Sequence, residues 1–195
     1  NLHYILKRYS LAQRDYGWTI FVNERNLDED RIVQLIEIFN KGEVFEITDK
    51  EQIRLLLTLF SWLLTSSNRW LRDTTSKAMI EILRDHFEYA EYLLKLFSDV
   101  NDPYVIQRLY GIVFGACVKR NCENKELFKS LVGFVFNNIF NKDFIYPDIL
   151  LRDYARLIIE RYMMEYPSEP QDFKYEKIKP PYKSIRIPDI ADQKY

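Results

Sequence analysis

Soft metal ligation and nucleophile–base chemistry would have to come from Cys117, Cys122, His3 and His86, the complete set of cysteines and histidines in the chain. The cysteines are spaced C-x4-C with the histidines far away, a poor set for zinc, which in structural sites needs four convergent nitrogen or sulfur ligands. So sparse a pair is no disulfide framework either, and free structural thiols in a reducing, cytoplasmic setting are expected. Glycines stand at 17, 42, 111, 115 and 133 and none belongs to a G-x-x-x-x-G-K-S/T run, so no phosphate-cradling loop is expected. There is no G-x-S-x-G elbow and no H-E-x-x-H pair. An enzymatic reading, such as a hydrolase with a carboxylate-bound metal, would rest on carboxylates alone. The expectation is a chain that is no enzyme and carries no cofactor or metal.

The charged residues that do recur belong to a pattern. Thr65-Ser66-Ser67-Asn68-Arg69-Trp70-Leu71-Arg72-Asp73 closes one apolar run and opens another, and Leu150-Leu151-Arg152-Asp153-Tyr154-Ala155-Arg156 repeats its second half. The two Leu-Arg-Asp triplets start at 71 and 151, 80 residues apart. That is about two helical hairpins of the HEAT type, whose period is roughly 40–47 residues. In stacked hairpins an Arg and an Asp on inner helices pair within or between repeats. Arg69, Arg72, Asp73, Arg152, Asp153 and Arg156 are therefore candidates for an intramolecular ion-pair and capping network, or for a ridge that binds a partner.

The elements that must position these residues read as helices. Trp18 to Val22 is ambiguous in type and is taken as a short helix. Ile32, Leu35, Ile36 and Phe39 recur at helical spacing, with Gly42 as the stop. Thr48-Asp49-Lys50-Glu51 has the form of a capping box, and the run Ile53 to Leu64 behind it is apolar nearly all round, which predicts burial on more than one side. Ser67 or Asn68 caps the next helix, which buries Leu71, Thr75, Ala78, Met79 and Ile82; His86 to Asp99 is its neighbour. Asn101-Asp102-Pro103 signals a start, because Pro at the first helical position loses no hydrogen bond. Gly111 and Gly115, one turn apart, predict a close approach by another backbone. A helix follows from Asn124 to Phe140, and Pro147-Asp148 starts the last, which runs to Tyr166. Trp18, Trp62 and Trp70 are expected in the core.

Residues 1–166 are thus expected to form an all-α HEAT/ARM-like helical-repeat array (an α-solenoid), and residues 167–195 an extended Pro-rich stretch, either an arm pinned on the helices by Tyr175, Ile178, Tyr182, Ile185 and Ile187 or a linker. Equivalent points at Leu71, Val105 and Leu151 are spaced by 34 and 46 residues, too uneven for a strict TPR or ankyrin register. Hydrophobic residues at 47% and charged residues at 29% give a globular composition, and the net charge of −1 gives no global reason to expect nucleic acid. The basic residues of the arm are interrupted by Glu176 and aromatics and read as a solvated stretch. The most apolar window, Leu109 to Val118, is far shorter than the roughly 20 residues that span a bilayer. The opening Asn1-Leu2-His3 lacks Met and a signal pattern and reads as a piece of a longer polypeptide.

Arg14-Asp15-x-x-Trp18-Thr19, Ser61 to Asp73, Asp102-Pro103-Tyr104-Val105-Ile106-Gln107-Arg108-Leu109-Tyr110 and Leu150 to Arg156 together resemble the helical C-terminal region of large bacterial NACHT-like STAND ATPases, including antiviral AVAST proteins. The likeness runs in order over residues 13–165; where the family is expected to be richer in Ala, this chain has Thr74-Thr75-Ser76-Lys77-Ala78. The resemblance implies an effector and an ATPase elsewhere in the polypeptide, and helical repeats that sense a viral structural protein. The expected partners are accordingly a protein and other domains of the same polypeptide, recognised by side chains around Trp70 to Lys77, Tyr104 to Tyr110 and Leu151 to Arg161. The competing expectation is a structural spacer with no ligand of its own.

Overall fold

Most of the long helices start the same way, with a short polar side chain folded back onto the first free amides. Asp30, Asp49, Asn68, Asp102, Asn124 and Asp148 each accept a hydrogen bond from a backbone N–H two or three residues on. A cap of this kind is worth about 1 kcal/mol, and the four carboxylates also complement the positive end of the helix dipole. At Ser10 a full capping box forms with Gln13. The cap of the helix Lys50–Leu63 is Asp49; Thr48, the residue expected there, lies outside the described residues. Asp49 serves as well on chemical grounds, since its carboxylate accepts from the Glu51 amide at 2.8 Å.

The computed structural model describes residues 2–23, 30–41, 49–120, 124–169 and 174–184. The helices are α1 (Leu2–Arg8), α2 (Leu11–Arg14), α3 (Ile20–Asn23), α4 (Arg31–Asn40), α5 (Lys50–Leu63), α6 (Arg69–Asp85), α7 (Tyr89–Phe97), α8 (Pro103–Lys119), α9 (Lys125–Val135) and α10 (Ile149–Glu165). A π turn, Asp15–Thr19, joins α2 to α3 and resolves the ambiguous stretch at Trp18; a second, Phe136–Phe140, extends α9. The fold is all-α, and among the described residues the one extended pairing is an isolated bridge between Ile145 and Ser184. Gly42, the expected stop after α4, is not among the described residues.

Packing follows the apolar stripes. α4 lies on α6, α6 on α8 and α8 on α10, while α1 lies on α5, α5 on α7 and α7 on α9; α5–α6, α7–α8 and α9–α10 join the two rows. The core between them holds Phe60 and Trp62 of α5, Leu93 and Phe97 of α7, Leu109 and Val113 of α8, Phe128 of α9 and Ile158 of α10. Burying each such side chain contributes about 1.5–3 kcal/mol. α5 is buried on all sides only in its last turn, Phe60 to Leu63; nearer its start Leu55 faces solvent.

The described part of the C-terminal arm packs on the helices. A 3-10 turn, Tyr175–Ile178, buries Ile178 completely. Tyr182 stacks on Phe140 at 5.9 Å, and the Ile145 amide donates to the Lys183 carbonyl at 2.9 Å.

Candidate functional site

The cap at Asn68 sets the phase of α6. It turns Leu71, Thr75, Ala78, Met79 and Ile82 into the core, which leaves Arg69, Arg72 and Asp73 on the flank towards α8 and solvent. Arg72 donates from Nη1 to the Ser66 carbonyl at 2.6 Å, and its guanidinium stands 5.5 Å from the Tyr104 ring centre. Asp73 accepts from Arg108 of α8 at 2.9 Å and from Arg69 at 3.4 Å. Desolvation pushes the Asp73 carboxyl up, but the hydrogen bonds and charges of Arg108 and Arg69 outweigh it and hold the group below the ordinary carboxylate range. Arg108 also donates to the Tyr104 hydroxyl at 2.8 Å and to Ser76 Oγ at 3.3 Å.

The second triplet repeats only part of this. Arg152 reaches back from Nε to the Asp148 carbonyl at 3.1 Å, as Arg72 does at the entrance of α6, and stands 5.0 Å over the Tyr182 ring. Its Nη1 donates to Ser184 Oγ at 3.1 Å, so the helix start and the arm are joined through it. Asp153 pairs with Arg156 at 3.1 Å within α10. The Arg positions are therefore equivalent and the Asp positions are not: Asp73 links two helices and Asp153 stays on its own. The two sets do not merge into one site, since α8 lies between α6 and α10.

A groove of about 420 Å³ runs over these three helices, lined chiefly by Ser76 and Ile80, by Tyr104, Gln107 and Gly111, and by Leu150 and Tyr154. The two glycines of α8 shape it. A Cβ at Gly111 would lie 3.1 Å from the Tyr154 ring, and one at Gly115 would lie 2.7 Å from Ile80 Cδ1. They admit side chains of α10 and α6 against α8, and not the backbone that their spacing predicts. Tyr104 is 42% exposed and Leu150 52%. Trp70, expected in the core, is 41% exposed one turn from Asp73; Trp62 is fully buried, and Trp18 is half-buried with its indole N–H on the Trp62 carbonyl at 2.9 Å.

Other polar groups are internal staples. Arg14, 1% exposed, donates to the carbonyls of Leu6, Tyr9 and Asn101 and to the Asn101 side chain, lies 3.7 Å from Asp102 and stands 5.6 Å from the Trp62 ring centre. Arg120 pairs with Glu165, donates to the Cys117 carbonyl at 2.6 Å and lies 4.2 Å over Phe128. His3 accepts on Nδ1 from the Trp62 indole N–H at 3.2 Å. Cys117 is buried and free, and desolvation pushes its thiol far up, away from the thiolate that nucleophilic chemistry requires; Cys122 lies outside the described residues. Among the described residues no group of three His, Cys, Asp or Glu side chains could hold a metal, and no helix is long and apolar enough to cross a membrane.

No protein-family model, curated protein or solved structure matches the chain. Of the groove residues, Ile80 falls outside the stretches singled out in the sequence, and the Asp73–Arg108 pair joins residues of two different helices. A helical-face projection carried one turn further along α6 reaches Ile80.

Proposed function

We propose that the chain is a protein-binding module built as a HEAT-like array of helical pairs, with its recognition surface on the face shared by α6, α8 and α10. The observation that carries this reading is the groove itself, where exposed Tyr104 and Leu150 flank a floor shaped by two glycines. Half-exposed aromatic and aliphatic side chains around a concave floor are the composition of a protein-recognition patch. The repeat reading draws support from the row of α4, α6, α8 and α10 and the parallel row of α1, α5, α7 and α9. In this account the Leu-Arg pairs fix each helix entrance, and Asp73 with Arg108 holds two walls of the groove at their spacing.

The resemblance to NACHT-like STAND ATPases extends the reading. The module would be the sensor part of a larger cytoplasmic bacterial ATPase in antiviral defence, with a viral structural protein as its ligand. The chain itself would neither bind nor hydrolyse ATP, because no glycine-rich loop ending in Gly-Lys-Ser/Thr is present to cradle phosphate.

A photo-crosslinking amino acid placed at Gln107, in the groove, and in a second variant at Ser130, exposed on α9, tests the recognition face in cells that express the protein. A discrete protein adduct at Gln107 that is absent at Ser130 is expected. Equal yields at both positions, or adducts at Ser130 alone, would contradict the assignment, and adducts at neither would favour a spacer.

A further inference from the structure

The groove is charged unevenly along its length. Near the start of α6, Arg69 and Arg108 share a single carboxylate, Asp73, with Arg72 beside Tyr104 and Lys77 one turn beyond Asp73 on the same helix. The Arg69 side chain is 87% exposed and Lys77 is exposed, so neither charge is spent on the interior. Both Arg72 and Arg108 lie 5.5 Å from the Tyr104 ring centre, which gathers two guanidinium groups at the groove's edge. Farther along the charges pair evenly: Glu81 and Asp85 face Arg84 and Lys119, and Asp153 faces Arg156. A net excess of cations therefore sits at one end of an apolar floor in a chain whose overall charge is −1.

We propose that this groove takes an acidic peptide segment of the partner, with one aliphatic or aromatic side chain seated among Ile80, Gly111 and Tyr154 and carboxylates facing Arg69 and Lys77. The inference rests on the groove being the recognition face. An apolar anchor supplies the contact area. Carboxylates opposite the exposed cations give direction and a faster encounter, because complementary potentials steer association. A basic peptide would meet Arg69, Arg72 and Arg108 with Asp73 alone to offset them, and the exposed Lys77 beyond. A nucleic acid strand would satisfy the cations but leave the aliphatic floor without an apolar side chain to cover it.

The probe is a phage-displayed library of random dodecapeptides, selected on the whole chain. Enriched sequences should combine Asp or Glu with an aliphatic or aromatic residue. A synthetic peptide from the selection should lose at least about ten-fold in affinity for the double variant Arg69→Glu/Lys77→Glu, and should weaken as salt is raised. Gln107→Trp, which fills the groove from its lining, should abolish binding, while Ser130→Trp on α9 should not alter it. Selected peptides that are neutral or basic, yet still blocked by Gln107→Trp, overturn the acidic-partner inference and leave the groove reading standing. Peptides indifferent to Gln107→Trp, or no enrichment over an unrelated helical protein, overturn the groove reading itself. A single-stranded oligonucleotide that displaces the peptide and binds more tightly overturns the proposal in favour of nucleic acid.

Discussion

Replacing Arg14 with Met tests how the N-terminal helices are held to the rest of the molecule. The guanidinium is 1% exposed and is the meeting point of three carbonyls, the Asn101 amide oxygen and the Asp102 carboxylate. Met keeps much of the side-chain volume over Trp62 but donates no hydrogen bond. The Leu6, Tyr9 and Asn101 acceptors then lose a donor, at roughly 1–3 kcal/mol for each that water cannot reach. Asp102, itself 8% exposed, keeps its cap on the Val105 amide but loses its cation. Removing one partner of a buried charge pair costs about 3–5 kcal/mol, and because these losses overlap we expect a total in that range. For a chain of this size the corresponding fall in melting temperature is about 2–4 °C per kcal/mol, or roughly 6–20 °C. The pH dependence sharpens the test. Burial already pushes the Asp102 carboxyl above its ordinary value, against the pull of the Val105 amide and Arg14. Without Arg14 it should rise further. A raised folded-state pKa means that the folded chain binds more protons than the unfolded chain between the two values, so stability recovers as the pH falls through that window. The deficit of Arg14→Met relative to the parent chain should therefore be largest at neutral pH and shrink on acidification, and Arg14→Lys should fall between the two. Urea denaturation at several pH values measures this. A deficit below about 1 kcal/mol, or one that grows on acidification, would refute the reasoning.

Asp73→Ala should cost only about 0.5–1.5 kcal/mol, because the side chain is 40% exposed and Arg108 keeps Tyr104 and Ser76; a melting temperature lowered by more than about 10 °C would mean that the pair does more than brace the groove. Burial, reinforced by Lys7 and opposed by Asp99, pushes the His3 imidazole below its ordinary value. The stability it allows is complete above about pH 6.5 and is lost as the pH falls from there through the folded value, since the unfolded chain takes up the proton first. His3→Phe should flatten that part of a stability–pH profile, and an unchanged profile would contradict the assignment. Gly133→Ala, where a Cβ meets nothing within 4 Å, should stabilise by about 0.5–1 kcal/mol. Gly115→Leu, which drives into Ile80, should destabilise by about 1–3 kcal/mol; thermal melts that reverse this order would show that the space around α8 is misjudged.

The parts of this architecture legible in the sequence are those fixed by neighbours a few residues away. Asn68, Asp102 and Asp148 announce their helices because a cap is a local hydrogen bond, and the Leu–Arg pairs at 71 and 151 do equivalent work because each Arg reaches back to the turn before its own helix. Parts that depend on distant partners were not legible. Nothing near Arg14 marks it as buried, since its acceptors at Asn101 lie 87 residues away. The unequal fates of Asp73 and Asp153 depend on whether a neighbouring helix presents an Arg opposite, which α8 does for the first. Trp70 is exposed because its place on α6 falls off the stripe of Leu71, Thr75 and Ala78, a phase that the cap at Asn68 sets and aromatic content alone conceals. At 167–195 proline spacing leaves an arm and a linker equally open. In the described part of that stretch Ile178 is buried and Tyr182 meets Phe140 and Arg152, contacts that no local pattern encodes.

Amide hydrogen exchange on the whole chain, free and saturated with a selected binding peptide, tests the central claim most directly. The account predicts new protection in residues 69–80 of α6, 104–112 of α8 and 150–154 of α10, with α7 and α9 unchanged. Protection confined to α7, α9 or residues 174–184, with the groove helices unaffected, would contradict it.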